Sequence, residues 1–195
     1  VTNWVANYLT QLDATPGPLF GIIDTNSMGL VGHSAGAVAA LGAVEGSCQF
    51  PFCNPFISPV YPRPASLKAA VVHGYQNCDP ISGQCREFNT TAAPVMIVNG
   101  QFDDAAAAVS AYGTLEPSRA IVLLDDVNHF GLTNDDLSSP MGPNPEPNGI
   151  PQPASIALTV KWTAVWLRAQ IDGHPGSLNL LSKSRVGKAT ITSEL

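Results

Sequence analysis

Residues 28–38, Met-Gly-Leu-Val-Gly-His-Ser-Ala-Gly-Ala-Val, constrain the fold more than any other stretch of the chain. The apolar run at 28–31 suits a short buried strand. The Ala-rich segment 35–45 favours a helix, and Gly46 is the residue type that readily adopts the left-handed conformation closing one. Only Gly32-His33-Ser34-Ala35-Gly36 lies between them, so a strand must turn at once into a helix with Ser34 at the apex in an unusual backbone conformation. The tightness of that turn predicts that side chains at Gly32 and Gly36 would collide with the adjoining strand and helix.

The rest of the chain repeats the alternation of short apolar runs and helical segments. Val1, Trp4, Val5, Tyr8, Leu9 and Leu12 recur at helical spacing, which predicts an amphipathic helix over 1–13, ended by Pro16-Gly17-Pro18. An apolar connector at 19–23 and a turn at 24–27 lead into the first strand. Residues 47–66 carry Pro51, Pro55, Pro59, Pro62 and Pro64 and exclude both a regular helix and a central strand. Residues 67–73 read as the next buried strand, with Gly74-Tyr75 at its C-terminal end. A third run, 94–98, stops at Asn99-Gly100; Asp103 and Asp104 follow, then a helical segment over 105–112. A fourth strand at 120–124 is closed by Asp125-Asp126 and followed by Asn128-His129-Phe130-Gly131. Residues 132–153 form a long polar loop. Pro153 opens a last helix in which Leu158, Trp162, Val165, Trp166 and Ala169 share a face and Gly173 ends it. Residues 174–195 read as a loosely packed tail. This order predicts one α/β domain over 1–195, a parallel sheet flanked by helices.

Composition excludes several classes. The net charge is −6 and only 12% of residues are charged, with a thin basic group at Lys183, Arg185 and Lys188, so nucleic acid is not an expected partner. No apolar stretch approaches the ~20 residues that span a bilayer. Cys48, Cys53, Cys78 and Cys85 fall in Pro-, Gly- and Asn-rich segments. Four cysteines allow three pairings, of which the local one, Cys48 with Cys53 and Cys78 with Cys85, closes the least chain. No histidine lies at ligand spacing and no Cys-x-x-Cys occurs, so disulfides are expected rather than zinc, and with them an extracellular or periplasmic setting. Asn89-Thr90-Thr91 is a glycosylation sequon that fits such a setting. Because the first residue is valine, the missing signal peptide carries no information on export.

With its strand and helix, Gly32-His33-Ser34-Ala35-Gly36 resembles the nucleophile elbow of the α/β-hydrolase superfamily, especially its dienelactone-hydrolase-like and platelet-activating-factor-acetylhydrolase-like esterases. The resemblance implies a serine, an acid and a histidine in that chain order, delivered by loops after successive strands. Ser34, Asp103 and His129 stand in that order. Gly100-Gln101-Phe102-Asp103 resembles the family's Gly-x-x-Asp turn, which favours Asp103 as the acid and leaves Asp104 as a helix cap. Asp125 and Asp126 read as a solvated turn. Asn128-His129-Phe130-Gly131 resembles the histidine loop of secreted esterases. His33 is expected to point away from Ser34, His73 to be structural, and His174 to lie past the last helix, outside the constellation. The resemblance also gives the backbone N–H of Ala35 as one oxyanion donor, with a second from a loop after an early strand that is not in this sequence.

A complete member of the superfamily places on the order of 100 residues before the nucleophile strand. The chain therefore reads as an α/β-hydrolase fold lacking its N-terminal strands, with a minimal or permuted hydrolase as the alternative. A missing N-terminal half or partner chain would leave an apolar sheet edge beside the nucleophile strand. The expected activity is hydrolysis of a small-molecule or lipid carboxylic ester through an acyl-enzyme, with no cofactor. A serine peptidase or acyltransferase is the alternative within enzymes, and a non-catalytic binding or structural module the alternative outside them. Phe50, Phe52, Phe56 and Tyr61 would pack their loop onto the body or wall an acyl pocket. The loop at 132–153 would be a surface excursion or a lid.

Overall fold

A computed structural model describes residues 2–47, 62–75, 86–134 and 146–195. The four cysteines, the aromatic residues Phe50, Phe52, Phe56 and Tyr61, and the centre of the polar loop lie outside the described residues.

The elements run α1 (Thr2–Ala14), β1 (Met28–His33), α2 (Ala35–Glu45), β2 (Leu67–His73), β3 (Val95–Gly100), α3 (Ala105–Thr114), β4 (Arg119–Leu124), α4 (Gln152–Asp172), α5 (Pro175–Leu181), β5 (Arg185–Val186) and β6 (Ala189–Glu194). They build one six-stranded sheet in the order β1-β2-β3-β4-β6-β5. β1 to β4 are parallel, and their register places His33 opposite His73, and His73 opposite Val98, at the C-terminal ends.

Both faces of the sheet are covered, which explains why β2 and β3 read as continuous apolar runs rather than alternating ones. On one face Leu41 and Val44 of α2 and Ala108, Ala111 and Tyr112 of α3 pack on Ala70, Val72, Val95 and Ile97. On the other, Trp162, Val165, Trp166 and Ala169 of α4 pack on Ala69, Val71, Met96 and Val98. The helix ends follow from composition: Gly46 and Gly173 take left-handed backbone at the C-termini of α2 and α4, where a side chain would be strained.

Two expectations are corrected. The sheet is mixed, because β6 runs antiparallel to β4 and β5 antiparallel to β6. Residues 174–195 are accordingly not a loose tail. Leu181, Ala189 and Ile191 are buried against the α4 face, while Thr190 and Thr192 alternate outward. Arg119 pairs with Glu194 at 2.8 Å, and Arg185 and Lys188 form ion pairs with Asp125 and Asp126. The thin basic group thus neutralises the acidic turn after β4. The helix predicted over 1–13 forms as α1, and among the described residues its apolar face is left open, with Trp4 68% exposed and stacked on Tyr8 at 5.5 Å, and the connector's Ile22 69% exposed. Helical periodicity establishes that such a face exists and says nothing about what covers it.

Candidate active site

The parallel strands deliver their C-terminal ends to one edge of the sheet, and the chemically capable side chains collect there. Ser34 joins β1 to α2 with φ 54° and ψ −119°, a conformation that costs a non-glycine residue about 1–3 kcal/mol. Its N–H donates to the carbonyl of His73 at 2.9 Å, so the end of β2 braces the turn. A Cβ on Gly32 would lie 2.2 Å from the carbonyl oxygen of Gly36, which makes glycine obligatory at that position. The steric reading of Gly36 is corrected, since a Cβ there would meet nothing within 4 Å. Ala35 is the first residue of α2, so its N–H is among those at a helix N-terminus with no intrahelical acceptor.

Asp103 follows β3 and His129 follows β4. The Nδ1–H of His129 donates to Asp103 Oδ2 at 2.9 Å, with Asp103 only 2% and His129 8% exposed. A carboxylate can only accept, so the pair fixes the proton on Nδ1 and leaves Nε2 of the neutral ring as a base. Asp104 stands apart. It caps α3 by accepting from the N–H of Ala107 at 3.0 Å, with its own φ at 42°.

The loop carrying His129 is tied down on several sides. Asn128 accepts from the N–H of Phe130 at 2.9 Å and donates to the carbonyl of Glu146 at 3.1 Å. Gln152, at the start of α4, donates to the carbonyls of Phe130 and Thr133. From the other side, Gly74 packs directly on the pair: a Cβ there would lie 2.8 Å from both Cε1 and Nδ1 of His129 and 3.0 Å from Asp103 Oδ2. With φ +57°, Gly74 is required by its backbone as well as by the space. Its importance has no sequence signal beyond its position just past a predicted strand.

The remaining histidines separate clearly. His73 is buried on the α4 side, and its Nε2–H donates to Thr163 Oγ1 at 3.2 Å, the Thr163 hydroxyl being spent on the carbonyl of Thr159. Burial, followed by the neighbouring His33, pulls its pKa down to about 4. His174 caps α5 by accepting from the N–H of Ser177 at 3.1 Å. His33 has a partner that the sequence does not announce: its Nε2 lies 2.8 Å from the His129 carbonyl oxygen and the two rings are 4.7 Å apart.

His73, Gly74, Asn99, Asp103, His129 and Thr159 contribute to the walls of a small, open cleft. Among the described residues no group of three or more His, Cys, Asp or Glu could hold a metal ion, and no helix is long and apolar enough to cross a membrane. No protein-family model matches the chain, and no curated protein matches its sequence.

Proposed function

We propose that the chain carries the catalytic centre of a serine carboxylic-ester hydrolase of the α/β-hydrolase type, with Ser34 as nucleophile, His129 as general base and Asp103 as its orienting acid. The observation that carries this reading is the buried His129–Asp103 pair at the sheet edge where Ser34 sits in strained backbone. Strain at a serine between a strand and a helix has no structural use that an ordinary loop would not serve better, whereas it exposes a hydroxyl for attack.

In the reaction, Ser34 Oγ adds to the ester carbonyl carbon as its proton passes to His129 Nε2. The resulting imidazolium is stabilised by Asp103, and the tetrahedral oxyanion by the N–H of Ala35 at the positive end of α2. Collapse breaks the bond to the alcohol oxygen, which takes the proton from His129 Nε2 and leaves an acyl-Ser34 ester. A water then attacks the acyl carbon, giving its proton to His129, and the carboxylic acid departs with Ser34 reprotonated. No step requires a cofactor. The substrate is a small-molecule or lipid ester, and the cysteines and exposed Asn89 sequon extend the proposal to an oxidising, extracellular or periplasmic compartment.

The direct test is covalent labelling with a fluorophosphonate, together with hydrolysis of a short p-nitrophenyl ester. Labelling and turnover in the native chain, both lost in Ser34→Ala, are the expected results. Unchanged ester turnover in Ser34→Ala overturns the assignment. Faster cleavage of a matched amide than of the ester would move the reading to a peptidase.

A further inference from the structure

The sequence motif assigns His33 no task beyond preceding the serine, and the catalytic steps above do not use it. Its geometry is nevertheless specific. The Nε2 of His33 lies 2.8 Å from the main-chain carbonyl oxygen of His129, 96 residues away. A carbonyl only accepts, so Nε2 must carry a proton, while burial disfavours a second one on Nδ1. The two imidazoles sit 4.7 Å apart at 43°, and Phe130 closes the group, its ring edge-on to His129 at 5.1 Å and to His33 at 6.1 Å. His33 is the residue before Ser34, and the atom it holds belongs to His129. One hydrogen bond therefore ties the strand that presents the hydroxyl to the loop that presents the base. Those two segments otherwise come from opposite sides of β2 and β3.

We infer that His33 is a positioning residue: its neutral ring clamps the His129 main chain to the elbow, holding the base in register with Ser34. The inference rests on the serine-hydrolase reading for its catalytic consequence, while the clamp itself is a structural property that can be measured without turnover. Holding a base within a fraction of an ångström of its nucleophile matters steeply, since a misplacement of ~1 Å costs about 100-fold in rate.

The clamp also makes the site sensitive to acid. Among the described residues, the titratable groups facing His33 are His129, Asp103 and, from β2, His73. Burial first, and then the charge of His129, hold the His33 ring toward its neutral form, while the His129 carbonyl and Asp103 pull the other way. Each turnover creates an imidazolium at His129. A second charge on His33, with its ring 4.7 Å away, opposes that imidazolium, so protonation of His33 suppresses catalysis in addition to direct protonation of the base.

Three forms of the full chain test this: native, His33→Gln, which keeps an uncharged N–H donor near the Nε2 position, and His33→Leu, which removes the donor. His33→Leu should lower kcat by about 10- to 100-fold with little change in KM, and slow fluorophosphonate labelling equally. His33→Gln should restore both to within a few-fold. The acid limb of kcat/KM should be steeper than one proton in the native protein and fall to a one-proton slope in His33→Gln. Independently of activity, the downfield proton of the His129 Nδ1–H···Asp103 bond should be sharp in the native protein and His33→Gln and broadened in His33→Leu. Native rates and a sharp proton in His33→Leu overturn the clamp, as does a His33→Gln variant that folds normally yet is as impaired as His33→Leu. A native chain that neither labels nor turns over an ester overturns the serine-hydrolase reading, and the downfield proton still decides the clamp.

Discussion

The two ends of the parallel sheet differ sharply. Around β3 and β4 Asp103 and His129 are buried, with Gly74 against their carboxylate and ring, Asn128 and Gln152 fastening the loop, and the β6 strand sealing the far side. At β1 the described residues pair on one side only, Val31 is 51% exposed, and α1 with its connector shows Trp4, Tyr8, Phe20 and Ile22 to solvent. Ser34 stands at the border of the two regions. The difference teaches that the Asp103–His129 pair is set by the core, where geometry is over-determined, whereas Ser34, the proposed nucleophile, depends on a few tethers: the bond to His73, the Gly32 contact and the proposed His33 clamp. Damage to the enclosed end should therefore be expensive in rate or stability, and damage to the open edge cheap.

Asp103→Asn should give the largest effect. The asparagine can present an N–H to Nδ1 and stabilise the wrong tautomer, placing a proton on Nε2 where the base is needed, a change worth about 10⁴-fold in kcat. Steady-state ester hydrolysis checks it, and a loss below ten-fold would show that the pair does not orient the base.

The next effect is on stability and comes from His73. Its pKa is about 4 in the folded protein, against 6.5 for the exposed side chain, so between those values the unfolded chain binds a proton that the folded chain refuses. The contribution is fully present above pH 6.5, declines as pH falls, and is exhausted near pH 4, amounting to on the order of 3 kcal/mol. Urea unfolding of the native chain and His73→Gln across that interval should show the steeper acid loss in the native chain. Parallel curves would mean that another group controls the decline.

Gly74→Ala should follow, because its methyl must enter space 2.8 Å from the His129 ring while the backbone holds φ at +57°. Strain and overpacking of about 1–3 kcal/mol are expected, with kcat falling more than KM rises as the ring is displaced. A variant with native kcat would show that the enclosed end is more yielding than its packing implies.

These residues also mark what could be read from sequence. β2 is legible as the apolar run 67–73 because a strand buried on both faces must be continuously apolar, and the ends of α2 and α4 are legible because glycine is the residue that tolerates the closing conformation. Asp103 and His129 follow predicted strands, so a parallel arrangement brings them to one edge. β6 is not legible, since Ala189 and Ile191 are its only core-facing apolar residues and two alternations cannot be told from a polar tail. Gly74 and the His33 clamp are silent for another reason. Each acts across chain separations that local patterns do not encode, the first on His129 and the second on its carbonyl.

The smallest effect should come from the open edge, and it probes the comparison most directly. Val31 lies on β1 with half its surface in water, so replacing it by lysine removes little burial and adds a charge of the sort that natural edge strands use to avoid pairing with one another. Val31→Lys should change unfolding free energy by no more than about 0.5 kcal/mol. It should also reduce any self-association seen by light scattering, because an apolar strand edge that the described residues leave unpaired is a template for further pairing. A loss of several kcal/mol would mean that Val31 is covered in solution and that the elbow is as enclosed as the acid–base pair. Near-neutral stability with reduced association would place Ser34 on an edge that the described residues themselves leave open.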